Sequence, residues 1–251
     1  MEQTKQTPQF PTEEVTLPSK GLLYSKDSPL SKGVIEMKYM TAKEEDILTN
    51  ANLIENGTVI DKLLQSLIVT PINFDDLLVG DKNAILIASR ILGYGSDYSF
   101  DYNGETISFD LTTIKDKELD ESLITEGKNE FSFTLPTAKK EITFKFLTNG
   151  DEQKIFQELK GLKKLNKTSS AEVSTRMKHL LLSVDGNYET KTIREFVDTQ
   201  FLARDARELR NYIKKIQPDV DLSYSYEDRR GDIKEIDIPV GINFFWPDAS
   251  V

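Results

Sequence analysis

One histidine, His179, and no cysteine at all set the first limit on the chemistry open to this chain. A Ser-His-Asp arrangement needs an imidazole to take the serine proton. His179 lies inside the apolar run RMKHLLL with no serine or acid partner suggested by the sequence, so it is expected to be an exposed or capping histidine. Without thiols there is no disulfide and no thiolate zinc site, and one imidazole leaves little for a metal, so no metal or other cofactor is expected. The carboxylate pairs Glu44/Glu45 and Asp75/Asp76 have the residue types for acid–base work. Both stand where helices should begin, and the positive end of the helix dipole accounts for them without catalysis. A phosphate cradle needs a glycine-rich loop that runs into a helix. Gly93-Tyr94-Gly95 instead follows a helical run and reads as its C-cap. Arg230-Gly231-Asp232 spells an adhesion tripeptide but sits where a hairpin must turn. These residues point to a chain that binds rather than catalyses, with no small-molecule substrate.

Charge narrows the partners. The 251 residues carry 32 Lys+Arg against 42 Asp+Glu, a formal net charge of −10. That balance disfavours nucleic acid, where bound cations must neutralise phosphates. The lysines between Lys160 and Lys167 make the best basic patch, yet no aromatics are interleaved to stack on bases, and a helix C-terminus attracts cations anyway. No apolar run approaches the ~20 residues that span a bilayer, so no membrane partner is expected. The opening MEQTKQTPQFPTEE has neither a basic region nor an apolar core and is not expected to act as a signal peptide.

The elements that must position these residues follow from periodicity. Residues 1–14 read as a flexible polar tail. GVIEMKYM (Gly33–Met40) alternates like a half-buried strand. Thr41 begins a helix with a capping box to Glu44, ended by Asn56-Gly57. A second helix from Thr58 carries Ile60, Leu63, Leu64, Leu67 and Ile68 on one face before Pro71. A third, Phe74 to Leu92, is apolar nearly all round. Hairpins follow: Tyr98–Tyr102 with Thr106–Leu111 about Asn103-Gly104, then Phe131–Leu135 with Glu141–Leu147. Helices return at Asp151–Leu165, Ala171–Val184 and Thr192–Ile216, and the chain closes in strands about a turn at Arg229–Asp232. The expected fold class is α+β: a helical N-terminal subdomain with central hairpins over residues 15–150, then a second helical region and a C-terminal hairpin over 151–251.

Five residues stand out as candidates for partner binding. Phe244, Phe245 and Trp246 are consecutive large aromatics, and in a strand they would point to opposite faces, so one of them should meet another layer or another protein. Asp81 and Arg90 are ions within the apolar third helix. A buried ion costs several kcal/mol unless it is satisfied. They are nine positions apart, about two and a half turns, and cannot pair directly along one helix.

Four segments carry a resemblance: PSKGLLY (Pro18–Tyr24), MTAKEEDILTN (Met40–Asn50), DDLLVGDKNAILIASRILGYGSDY (Asp75–Tyr98) and FFWPD (Phe244–Asp248). Together they resemble the baseplate hub proteins of T-even-like bacteriophages, over roughly residues 15–100 and again over the last few. The resemblance implies a non-enzymatic tail protein. It implies other phage baseplate hub or tail proteins as partners, and a place in the host cell cytoplasm or the virion tail baseplate. Some relatives carry cysteine pairs where this chain has Asn103-Gly104 and Arg230-Gly231. Its length is similar to the longer member of the family, described as a hub assembly factor. The alternatives are a permanent structural subunit of the hub, or a tail assembly chaperone that binds a helical tail protein.

Overall fold

The first strand forms inside the expected tail. In the computed structural model, which describes residues 11–165, 171–227 and 230–245, β1 (Thr12–Thr16) runs antiparallel to β2 (Val34–Lys38), with Val15 opposite Ile35. Thr12 Oγ1 donates to Glu36 Oε1 at 2.6 Å, so the polar residues here are pairing residues. Residues 1–10 of that tail lie outside the described part. The loop between the strands closes on two glycines. Gly21 and Gly33 both have positive φ, and a Cβ on either would fall within 2.4 to 2.6 Å of Ser31 or Lys20 backbone oxygen.

The helix expected over Thr41–Asn56 is two helices, α1 (Ala42–Leu48) and α2 (Ala51–Glu55). Thr41 donates through its backbone N–H and its hydroxyl to Glu44 at the first. Asn50 breaks the run because its side-chain oxygen caps Asn52 and Leu53 and so starts a new helix. Next, α3 (Val59–Leu67) buries Leu63, Leu64 and Leu67 as the apolar stripe requires. The third expected helix is shorter than its apolar run. Phe74–Asp76 is a 3-10 turn, and α4 (Val79–Tyr94) starts after it. The reason is tertiary: the Leu77 carbonyl accepts from Asn149 N–H and Val79 N–H donates to Leu147, so this stretch is held extended. Gly95, at φ +85°, caps the far end.

The first hairpin, β3 (Asp97–Tyr102) and β4 (Glu105–Asp110), turns on Asn103 and Gly104, both at positive φ. β5 (Phe131–Thr134) and β6 (Glu141–Phe144) form the second. After α5 (Asn149–Leu165) and α6 (Glu172–Leu180), β7 (Leu181–Val184) adds to the free edge of β6, giving the order β5-β6-β7. The single helix expected over Ala171–Val184 therefore ends early, and its last four residues bury a sheet face; Ser183 and Thr143 hydroxyls meet at 2.7 Å across the pair. The expected break at Asn166–Ser170 lies outside the described residues. Thr192–Ile216 is likewise two helices, α7 (Thr190–Thr199) and α8 (Ala203–Ile216). The chain folds back there: Phe201 N–H returns to the Phe196 carbonyl, and the two rings lie 5.4 Å apart. That kink lets Asp205, in the first turn of α8, accept from the amides of Thr137 and Ala138 at 2.8 and 2.9 Å. Finally β8 (Ser223–Glu227) pairs β9 (Ile233–Asp237), and the aromatic terminus is a 3-10 turn (Ile242–Phe244) where strand was expected.

Eight α-helices and nine strands in small antiparallel sheets among the described residues make this an α+β fold. One hydrophobic cluster runs from Leu17 to Phe245 and joins both halves of the chain. Asn149, next to the boundary expected near residue 150, bonds through its backbone amide to the Leu77 carbonyl within that shared packing.

The closest approach in the structure is at Gly80, where an added Cβ would sit 1.9 Å from the Pro218 carbonyl oxygen. Replacing Gly80 with Ala is expected to destabilise the protein by about 3 kcal/mol, at the upper end for overpacking. Gly161→Ala, where a Cβ meets nothing within 4 Å, should instead stabilise by about 0.5–1 kcal/mol as helix propensity dictates. Urea unfolding midpoints of the two variants check this pair.

Candidate functional site

The segments PSKGLLY and DLLVGD meet around one carboxylate. Asp81, in the first turn of α4, is fully buried. Its Oδ1 accepts from the Ser19 amide at 2.9 Å, and its Oδ2 accepts from the Ser19 hydroxyl at 2.6 Å and the Tyr24 hydroxyl at 2.5 Å. Tyr24 in turn accepts the Leu78 amide at 2.9 Å, and Ser19 Oγ accepts the Gly21 amide at 3.2 Å. Burial pushes the Asp81 carboxyl above its ordinary value, against the pull of the Ser19 and Tyr24 donors. Burial, reinforced by the charge of Asp81, also pushes the Tyr24 phenol up. The tight loop at Gly21 is what delivers Ser19 and Tyr24 to the same oxygen.

At the other end of α4, Arg90 gathers backbone carbonyls. Its Nε donates to Phe244, Nη1 to Gly95 and Nη2 to Asp97, at 3.1, 2.9 and 3.2 Å, and its guanidinium lies 5.1 Å from the Tyr94 ring centre. This arginine holds the C-terminal segment against the helix end and the start of β3. Phe244 packs on Tyr98 at 4.8 Å between ring centres. Asp81, Arg90, Phe244 and Phe245 are at most 3% exposed, so these four partner-binding candidates offer no free surface and serve this chain's own interior. The 3-10 turn explains how both rings turn inward where a strand could not. Trp246, the fifth candidate, lies outside the described residues.

A cleft of about 900 Å³ opens between the Asn56–Thr58 turn, the Phe74–Asp76 turn, the first half of α5 and His179. Most of its acids are engaged. Asp61 meets Lys82 and accepts from Gln153; Asp151 pairs with Lys145 at 2.7 Å and closes a cap with Thr148; Glu152 grips Arg176. Asp75 and Asp76 stay exposed on their turn, and Glu44 is enclosed with Lys38 at 2.8 Å. Glu44 and Glu45 thus sit in the first turn of α1, as the dipole argument requires, whereas Asp75 and Asp76 lie in a three-residue turn ahead of α4 and not at a helix start. Among the described residues, no three His, Asp or Glu side chains are placed to hold a metal ion. Gly231, at φ +84°, lies at the turn before β9; residues 228–229 of that turn lie outside the described part.

His179 is half-buried, not exposed or capping. Its Nε2 lies 2.9 Å from Glu158 Oε2, and Glu158 also takes a two-pronged grip from Arg194, each bond 2.8 Å. Thus α5, α6 and α7 are tied through one carboxylate. This cluster was not legible in the sequence, since its members are 15 to 36 positions apart on separate helices. For Ser19 and Tyr24 the signal was present, as polar residues flanking a glycine turn within an otherwise apolar stretch.

Comparison with protein-family models, curated proteins and solved structures found no match to this chain. No helix among the described residues is long and apolar enough to cross a membrane.

Arg194, with His179 adding to it, holds the Glu158 carboxyl at about 2, below its ordinary 4.5. A depressed carboxylate contributes stability that is complete above the unfolded value and is lost as pH falls through the folded one. The stability gap between the natural chain and Glu158→Gln should therefore be constant above pH 4.5 and shrink between 4.5 and 2. Urea midpoints of both proteins across that range measure it, and a gap that stays constant would remove Glu158 as the tie between the three helices.

Proposed function

We propose that this protein is a non-enzymatic assembly protein of a phage tail baseplate hub, acting by protein–protein binding. The observation that carries this reading is the meeting of the resembling segments in one buried arrangement. Ser19 and Tyr24 of the first hold Asp81 of the third, and Arg90 of the third holds Phe244 of the last. These contacts give the residues of the resembling segments a shared structural role. They act as a frame, so the binding surfaces lie elsewhere. Exposed apolar side chains such as Ile54, Phe156, Tyr188, Leu202 and Ile233 supply candidates, because large apolar groups on a surface are the usual anchors of an interface.

An assembly factor binds hub components while they are put together and leaves when they lock. Quantitative mass spectrometry of purified particles beside the infected-cell lysate, for the phage that encodes this chain, tests it. The expected result is abundance in the lysate, absence from the particle, and loss of complete baseplates when the gene is deleted. A fixed small-integer ratio to hub proteins in the particle would make the chain a permanent subunit. Normal baseplates in the deletion strain would overturn the hub reading altogether.

A further inference from the structure

One face of α5 carries opposite charge at its two ends with an exposed aromatic between them. At the N-terminal end, Asp75 and Asp76 are exposed beside the helix start; a Cβ on Gly150 would lie 3.0 Å from the Asp75 Cβ. Phe156 is 41% exposed near the middle, its ring beside Gly57, and Ile54 in α2 is 44% exposed. Further along the same face, at i+4 and i+8, about 40° and 80° round the helix from Phe156, come Lys160 and Lys164, both exposed. The last turns, from Lys160 to Lys164, are exposed at every position, and the Lys160 ammonium lies 5.9 Å from the Phe156 ring centre. A helix C-terminus explains the lysines alone. It does not explain a phenyl ring that stays 41% exposed beside them, in a chain whose net charge is −10.

This face is complementary to itself. Gly150 and Lys164 are each seven residues from Gln157, about 10 Å along the axis. A two-fold axis near Gln157 sets a second α5 antiparallel to the first. Each copy's lysines then face the other's Asp75 and Asp76, and the two Phe156 rings meet at the centre. An isologous contact needs this reciprocity, with residue i touching j and j touching i. We propose that the protein forms a two-fold dimer through the exposed face of α5, with Phe156 at its centre and the Asp75/Asp76 and Lys160/Lys164 groups paired across the axis. The aromatic anchors the contact, and the charges set its register and orientation. Salt should weaken it, since these pairs lie at a solvated rim. The dimer does not depend on the hub reading, and either can fail without the other.

A charge swap tests it with exposed side chains. One variant carries Lys160→Glu and Lys164→Glu, the other Asp75→Lys and Asp76→Lys. Alone, each brings like charges together at both ends of the axis; mixed, they restore opposite charges at both ends. Sedimentation equilibrium should find the natural chain dimeric, each variant alone with a dimer dissociation constant raised at least about tenfold, and the equimolar mixture dimeric again. Phe156→Ser should also give a monomer, with an unchanged circular dichroism spectrum to show that it is folded. A natural chain that stays monomeric at about 100 µM overturns the proposal. So does a dimer that survives both charge reversals, or a mixture no tighter than its components.

Discussion

A carboxylate sealed from water is the constraint on which the N-terminal half depends. Taking an ion out of water costs several kcal/mol, and only hydrogen bonds or an opposite charge can offset it. Asp81 is met by Ser19 and Tyr24, so the loop over Pro18–Tyr24 must lie on the first turn of α4 and nowhere else. That placement in turn fixes the rest. Tyr24 receives the Leu78 amide, Leu78 is held extended, and the neighbouring Leu77 and Val79 bond across to the start of α5. An apolar residue at position 81 could pack, but it would let the loop slide.

The second half hangs on the other end of the same helix. Arg90 draws in the carbonyls of Gly95, Asp97 and Phe244, which binds the helix end, the first hairpin and the end of the described chain into one cluster. Three carbonyls around a guanidinium suit the fork geometry of arginine, and a lysine could not reach all of them. The ions that looked like contact points on an apolar helix are therefore the fastenings that let distant segments share a core. The surface left for partners is made of side chains that no internal demand explains.

Local signals carried much of this into the sequence. Asn103-Gly104 fixed its hairpin because positive φ at two consecutive residues leaves few alternatives, and the stripe of α3 lies where its spacing put it. What was not legible came from tertiary demand. Leu181–Val184 is as apolar as a helix end, and it became a strand because β6 had an open edge. Nothing between Thr192 and Ile216 is a helix breaker, yet the chain kinks so that Asp205 can reach two amides. Phe74 to Leu78 looked helical until a partner 70 residues away claimed its backbone. Asp81, Arg90, Phe244 and Phe245 find their partners inside the chain, and the sequence could not say that the satisfaction was internal.

If Asp81 fastens the loop to α4 as tightly as its bonds imply, that loop should open only when the whole domain does. Native-state hydrogen exchange of the Ser19 amide measures this directly. The expected result is an opening free energy for Ser19 equal to that of the amides in the middle of α4. A Ser19 amide that exchanges through a local opening several kcal/mol easier than those helix amides would contradict a fold organised around this carboxylate.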